Sequence, residues 1–314
     1  MKSESRKIDV LGLGVVAVDD LIFVPSYPPA DAKIPVSRRE RHCGGLTATA
    51  LVAAARLGCH CFYAGVLGND ELSKFAIERL SQAGINFSHL VHRDEARPIS
   101  STIIVDEGRK TRNIFFDLHG FVGAHDALPE AEVIRSAKVL FVDHLSPKGM
   151  LRASRIAREA GIPIVADFEG SESPYFEELL DQVDHLIVSR SFATTLTGKK
   201  DPAEATLRLW TSKRKVVVTT SGADGCWYVS DSRPDAPIHQ PAFPVKVVDT
   251  TGCGDVFHGA YAASLVFGIP LPERVRVASA AAALKAVRAG GQEGIPNLDT
   301  VQAFLKGERS HESQ

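Results

Sequence analysis

"AKVLFVDHLSPKGMLRASRIAREAGIPIVADFEG", residues 137–170, reads as strand, helix, strand. Two short β-branched runs flank a stretch whose apolar residues recur at helical spacing, and a strand pair joined through a helix runs parallel. The alternation extends both ways. Upstream lie "KIDVLGLGVV" (7–16), "TALVAAARLG" (49–58), "HCFYAGVLG" (60–68) and "ELSKFAIERLSQAG" (71–84); downstream lie "DHLIVSR" (184–190), "DPAEATLRLWTS" (201–212) and "KVVVTTSG" (215–222). Strand and helix in strict alternation predict an α/β fold of three layers, a mostly parallel central sheet covered by helices on both faces.

Two segments break the pattern. Residues 20–38, "DLIFVPSYPPADAKIPVSR", and 98–118, "PISSTIIVDEGRKTRNIFFDL", read as β-ribbons with Pro and Gly turns and no helix between strands. They pair into a small β-sheet lid built from about 15–41 and 98–118, or else extend the main sheet as an edge hairpin; pattern alone weighs the two equally. No repeat, linker or composition shift divides the chain, so residues 1–314 are expected to form a single domain, with a polar tail at 306–314 expected to fray.

Bulk properties narrow the class of partner. Lys plus Arg number 36 against 38 Asp plus Glu, so the balance favours neither nucleic acid nor an anionic membrane, and a small molecule is the expected ligand. "MKSESRK" has no signal-peptide core and no run is long enough to span a bilayer, giving a cytoplasmic expectation. The five cysteines are an odd number and argue against a disulfide framework. His42, Cys43, Cys59, His60 and Cys61 have the residue types of a metal site, but Cys59 and Cys61 alternate as on a strand, which favours buried thiols.

The chemistry concentrates in "DTTGCGDVFHGAYA", residues 249–262. Val256, Ala260, Ala263 and Phe267 recur at helical spacing, so Gly252, Cys253 and Gly254 lead into a helix N-terminus, where unpaired N–H groups suit an anion. A carboxylate in that turn, Asp255, would repel a static anion. Either it caps the helix, or the anion is a phosphoryl group in transfer and Asp255 accepts the proton of the attacking hydroxyl.

This stretch resembles the C-terminal signature D-T-x-G-A-G-D of the PfkB carbohydrate kinases, the ribokinase-like family, with Cys253 in place of the usual Ala. The resemblance implies an ATP-dependent, magnesium-assisted sugar kinase with Asp255 as general base and the Gly252, Cys253 and Gly254 amides as an anion hole. It also implies a monovalent-cation (potassium) loop at Asp249 and Thr251, with carbonyl oxygens as the main ligands; a strand end and a turn cap at these two residues is the equal alternative. "GGLTATALVAAARLG" (44–58) is similar to the family's N-terminal signature, placing Gly44, Gly45 and Thr49 at the sugar, with Thr49 where many members have Asn. "GVVAVDDLIFV" resembles the first strand and points to Asp19 as sugar ligand, with Asp20 its rival. "TSGADG" matches the turn beside the nucleotide and implies Thr220, Gly222 and Gly225; Ser279 and Ala282 precede the adenine-side loop "RAGGQEGIP".

One family element is absent: where N-x-x-E is usual, "SRSFATTLTG" has Ser189 and Phe192, with Ser189 left as the nucleotide-side residue. Pattern by pattern the chain looks nearest to the sulfofructose kinase branch, then ketohexokinase, implying a ketose-like acceptor. Lys33, Arg109, Lys110, Arg112 and Asn113 are set to meet an anionic substituent, or are solvated turn residues. Asp167 or Glu169 is expected at the strand edge, and His258 is weighed between nucleotide contact and packing. The helix N-terminus is expected to keep Asp255 ionised. A nucleoside kinase using Phe23, Tyr27, Phe115 and Phe116, and a non-catalytic sugar sensor, are the rival readings. Pairing of lid ribbons between two chains gives a homodimer expectation.

Overall fold

The computed structural model describes residues 8–307; residues 308–314 of the tail expected to fray lie outside them. Among the described residues, fifteen strands and ten α-helices follow in chain order. The strands are β1 (Ile8–Leu13), β2 (Ala17–Val24), β3 (Arg38–Gly44), β4 (Cys61–Tyr63), β5 (Val66–Leu67), β6 (Ile85–Asn86), β7 (Val91–His92), β8 (Ile99–Asp106), β9 (Thr111–Asp117), β10 (Ala137–Asp143), β11 (Ile164–Asp167), β12 (His185–Ser189), β13 (Val216–Thr220), β14 (Cys226–Ser230) and β15 (Arg233–Gln240). The helices are α1 (Leu46–Arg56), α2 (Glu71–Gln82), α3 (Ala131–Arg135), α4 (Pro147–Glu159), α5 (Phe176–Gln182), α6 (Arg190–Thr197), α7 (Pro202–Leu209), α8 (Cys253–Val266), α9 (Leu271–Ala286) and α10 (Leu298–Leu305).

The main sheet has the order β15-β14-β13-β12-β11-β10-β1-β4-β6, parallel throughout except for the β13-β14-β15 meander at one edge. Every residue of β1 is buried, as a parallel strand covered on both faces requires. One apolar cluster unites this sheet with α1, α8 and α9, and a second fills the opposite face under α4 and α5. α1 and α8 touch closely because Gly259 has no side chain: a Cβ there would lie 2.1 Å from the Ala50 carbonyl oxygen.

The two ribbons do not extend this sheet. β2-β3 and β8-β9 are antiparallel hairpins joined by parallel pairing of β2 with β8, giving a separate four-stranded sheet of order β3-β2-β8-β9. Alternation along these strands sorts their side chains between two faces. Asp20 stands opposite Arg41 and accepts from its guanidinium at 2.6 and 2.9 Å, whereas Asp19 stands opposite His42 and beside Ser101 on the other face. No helix among the described residues is long and apolar enough to cross a membrane.

Candidate active site

A cleft of about 1170 Å³ opens between the small sheet and the main sheet, at the carboxyl ends of the parallel strands, where α/β folds bind ligands. Asp19, Phe23, His42 and Arg112 line it from the small sheet, and Glu169, Asp249 and Asp255 from the body. Asp19 and Asp255 therefore face one space although they lie near opposite ends of the chain.

Asp255 occupies the first turn of α8, behind Gly252, which adopts φ 77°. That left-handed conformation favours glycine, and a Cβ at Gly252 would also meet the Gly291 carbonyl oxygen at 2.6 Å. The Cys253 amide donates to the Thr250 carbonyl at 3.1 Å, and the Val256 amide returns to the Gly252 carbonyl. The Cys253 amide, expected in the anion hole, is thus engaged in the turn itself.

Burial pushes the Asp255 carboxyl well above the ordinary carboxylate range, and the neighbouring Asp167 and Glu169 charges push the same way while His258 opposes them. Loss of hydration and two like charges thus act against the helix N-terminus, which was expected to keep Asp255 ionised. The Asp255 and Asp167 carboxyls lie within hydrogen-bonding reach of each other. Burial, then Glu169 and Asp143, raise Asp167 as well. His258 is a buried residue held between main-chain oxygens, with Nδ1 2.8 Å from the Gly254 carbonyl and Nε2 3.0 Å from the Ile187 carbonyl. Its Nδ1 also stands 3.3 Å from Asp167. Asp143 closes this acidic floor: it accepts from the Val15 amide at 2.6 Å, the Thr47 hydroxyl at 2.8 Å and the Leu145 amide at 3.0 Å. Burial pushes it up to about 7 against those hydrogen bonds.

At the far wall, burial raises the Asp19 carboxyl, opposed by its bond with Ser101 and the His42 charge. Asp19 needs Gly44 beside it, since a Cβ there would come within 2.8 Å of Oδ2. Gly45, at φ 99°, packs on the β1–β2 turn, where a Cβ would meet the Val15 carbonyl oxygen at 2.6 Å. His42 reaches out of the small sheet to Glu293 at 2.5 Å and to Glu40 at 2.9 Å. The Glu293 bond first, then Glu40, lifts the imidazole to about 9 against the opposing effect of burial.

Several expected sugar contacts are elsewhere. Asn113 is not on the cleft wall, because alternation along β9 turns Arg112, Ile114 and Phe116 inward. Lys33 is exposed in the β2–β3 connection and Arg109 is likewise off the wall, whereas Lys110 and Arg112 line it. Thr49 is buried in α1, its hydroxyl accepting from the Gln292 side chain at 3.2 Å, so it serves the interior. Arg112 stands 3.7 Å from Asp249 across the cleft.

The expected nucleotide-side residues form a separate group at the ends of neighbouring strands. Ser189 pairs in register with Thr220, and Thr220 with Cys226, whose sulfur lies 4.0 Å from the Ser279 hydroxyl. Gly222 opens the 3₁₀ turn that leads to Gly225, where a Cβ would meet the Gln240 carbonyl oxygen at 2.1 Å. Ala282 lies one turn beyond Ser279 on α9 and packs against the apolar core. Ser189 accepts from the Phe192 amide as the cap of α6, and the Phe192 ring meets Phe176 edge-on at 6.0 Å. The positions of the missing N-x-x-E are thus one cap and one core residue.

Three features escaped the reading by motif. His42 and Glu40 share a strand face two residues apart, an alternation the sequence does display. Glu293 joins them only through folding. Lys285 is a lysine in the otherwise apolar "ASAAAALKAV" (278–287) and is fully buried, and that single charge was the available signal.

The pfkB family carbohydrate kinase profile matches residues 8–298. A mouse ribokinase is 33% identical over 269 residues, covering 81% of each chain. A probable fructokinase-4 of Arabidopsis thaliana is 27% identical over 97% of this chain and 99% of its own. The crystal structure of a putative ribokinase from Agrobacterium tumefaciens superposes with a TM-score of 0.86 at 28% identity, covering 97% of this chain and 99% of that one. A cleft floored by Asp255, the whole-length match and these relatives lead to one conclusion: the chain belongs to the pfkB family of carbohydrate kinases, phosphotransferases with an alcohol group as acceptor.

Proposed function

We propose that the protein transfers the γ-phosphoryl group of ATP to a hydroxyl of a small ketose-like or pentose sugar, with residues 1–314 acting as one kinase domain under the small sheet as lid. The observation that carries this reading is that Asp255 and Asp19 line the same cleft, one at a helix N-terminus and the other on the sheet above it.

Asp19 and the Gly44–Gly45 backbone hold the sugar hydroxyls, and Asp255 receives the proton of the attacking one. The sugar oxygen forms its bond to the γ-phosphorus as the bond to the β-phosphate oxygen breaks and ADP leaves. The Gly252 and Gly254 amides, which take no acceptor among the described residues, face the transferred group in this reading. Ser189, Thr220, Gly222, Gly225, Ser279 and Ala282 flank the nucleotide. Magnesium bound with ATP would neutralise phosphate charge, and Glu169 and Asp255 at the cleft floor would hold it through its water shell.

The nucleoside reading loses support in the lid. Phe115 and Tyr27 are off the cleft wall, and the Arg38 guanidinium covers the Phe23 ring at 3.5 Å from its centroid, leaving Phe116 as the stacking surface. Lys110 and Arg112 keep an anionic acceptor such as sulfofructose in the panel. Exposed Ile114, Phe115 and Phe116 on the edge strand β9 support a homodimer through the lid; a monomeric mass at micromolar concentration counts against it.

The test is ADP release with Mg-ATP against ribose, fructose and other ketoses, sugar acids, sulfofructose and nucleosides. One strongly preferred sugar is the expected result. A preferred nucleoside, or ATP binding without turnover on any acceptor, overturns it.

A further inference from the structure

His144 follows Asp143 at the end of β10, and its half-buried ring lines the cleft beside Leu145 and Glu169. The turn that carries it is pinned: one Asp143 carboxylate oxygen accepts from the Leu145 amide, the other from the Val15 amide and the Thr47 hydroxyl. The ring lies against the 169–170 backbone because Gly170 has no side chain; a Cβ there would come within 2.9 Å of Cδ2 and 3.1 Å of Nε2. The imidazole is thus held from two sides before any ligand arrives.

The Glu169 amide donates to Nδ1 of this ring at 3.3 Å. A ring nitrogen that accepts a hydrogen bond carries no proton, so the imidazole is neutral and its N–H is on Nε2. Burial agrees, pushing the ring below its ordinary value against the opposing charge of Glu172. No described residue accepts from Nε2, Glu172 included. The cleft's other groups are of a different kind. Asp19, Glu169 and Asp255 offer oxygens that only accept when ionised, and these suit sugar hydroxyls. Among the lid's cations, Arg38 is engaged by Glu40 and Glu107, and His42 by Glu40 and Glu293. Arg112 stands toward Asp249, and Lys110 lies in the turn at the far end of the β8–β9 ribbon from Asp19. A sugar oxygen without a hydrogen is repelled by carboxylates and needs a donor, which His144 supplies from the body side.

We propose that His144 is a specificity-determining residue of the acceptor site, donating its Nε2–H to a sugar oxygen that can only accept, the ring or carbonyl oxygen. The inference rests on the sugar-kinase reading of the cleft. It selects a sugar that turns this oxygen toward the 143–145 turn while its hydroxyls meet the carboxylates.

The experiment has two arms, both on the full-length protein. Steady-state kinetics compare the native protein with His144→Phe, which keeps a ring and removes the donor, and His144→Gln, which returns a donor near the Nε2 position. For the sugar preferred in the ADP-release panel, kcat/KM is expected to fall about 10–100-fold in His144→Phe with the KM for ATP unchanged, and to recover most of the loss in His144→Gln. The native protein is expected to discriminate by about the same factor against an analogue with a methylene in place of the ring or carbonyl oxygen, and His144→Phe to lose that discrimination. Full activity of His144→Phe, a loss shared equally by the KM for ATP, or discrimination that survives in this variant overturns the proposal. In the second arm, nitrogen-15 spectra of histidine-labelled protein, with the His144 signals identified by their absence in either variant, are expected to show a protonated Nε2 and an unprotonated Nδ1. The Nε2 signal is expected to move when the preferred sugar is added without ATP. A protonated Nδ1, or an Nε2 signal that the sugar leaves in place, also overturns the proposal. The spectrum of the free protein needs no acceptor, so a protein inactive on every sugar would refute the kinase reading while the donor state of His144 is still decided.

Discussion

Asp167 and Asp255 place their carboxyl groups within hydrogen-bonding reach at the cleft floor, and His258 stands 3.3 Å from Asp167 on the buried side. Burial raises both carboxyls, and the Asp167 charge adds to the rise at Asp255. Asp255, the side chain proposed to accept a proton during transfer, is thereby made more basic than an exposed aspartate.

Asp255→Asn keeps the shape of the floor and removes the proposed acceptor of the proton. Turnover is expected to fall by about 10²–10⁴-fold with ATP affinity unchanged, compared by steady-state kinetics and nucleotide titration. Substantial activity in the Asp255→Asn variant would sink the assignment of the base.

The pH profile carries the sign of the pairing. A general base acts deprotonated and the Asp255 carboxyl is raised, so under the proposed assignment activity is expected to fall as pH drops through a value well above the ordinary carboxylate range. Asp167→Asn removes a like charge and should move this acid limb to lower pH; His258→Leu removes the opposing influence and should move it higher. Limbs that move together, or stay in place, contradict the coupling.

His42 and Glu293 tie the small sheet to the loop after α9, so their pairing should appear in stability. The folded-state imidazole is raised from 6.5 to about 9, so its contribution is fully present below pH 6.5 and lost as pH rises through about 9. Glu293→Gln should therefore lower the melting temperature near pH 6, with the difference from the native protein shrinking above pH 9. A difference independent of pH in that window would rule out the charge-based account.

Gly259→Ala tests the packing that aims Asp255. The added Cβ would lie 2.1 Å from the Ala50 carbonyl oxygen and 2.8 Å from the Ala53 Cβ, forcing α8 away from α1. A loss of about 1–3 kcal/mol in urea unfolding is expected, with reduced turnover because α8 carries the proposed base, Asp255. Native stability would show that the helices separate without cost.

The strand and helix alternation was legible because each element's apolar period is written in consecutive residues, and "DTTGCGD" was legible because its glycines and carboxylate act within one turn. The small sheet was legible only as an alternative. Its deciding contact, β2 beside β8, joins Asp19 to Ser101 across most of a hundred residues, and no local pattern separates that pairing from an edge hairpin.

Local sequence thus determined the parallel α/β architecture, the helix that begins at residue 253 and the carboxylate in its first turn. Tertiary structure alone decided that Asp19 rather than Asp20 faces the cleft, that Arg112 rather than Asn113 does, and that Lys285 meets the Asp249 carbonyl. It also decided the direction in which the Asp255 carboxyl is shifted. Hydration loss and neighbouring charge act through space, and the groups responsible, Asp167 and Glu169, come from another part of the chain.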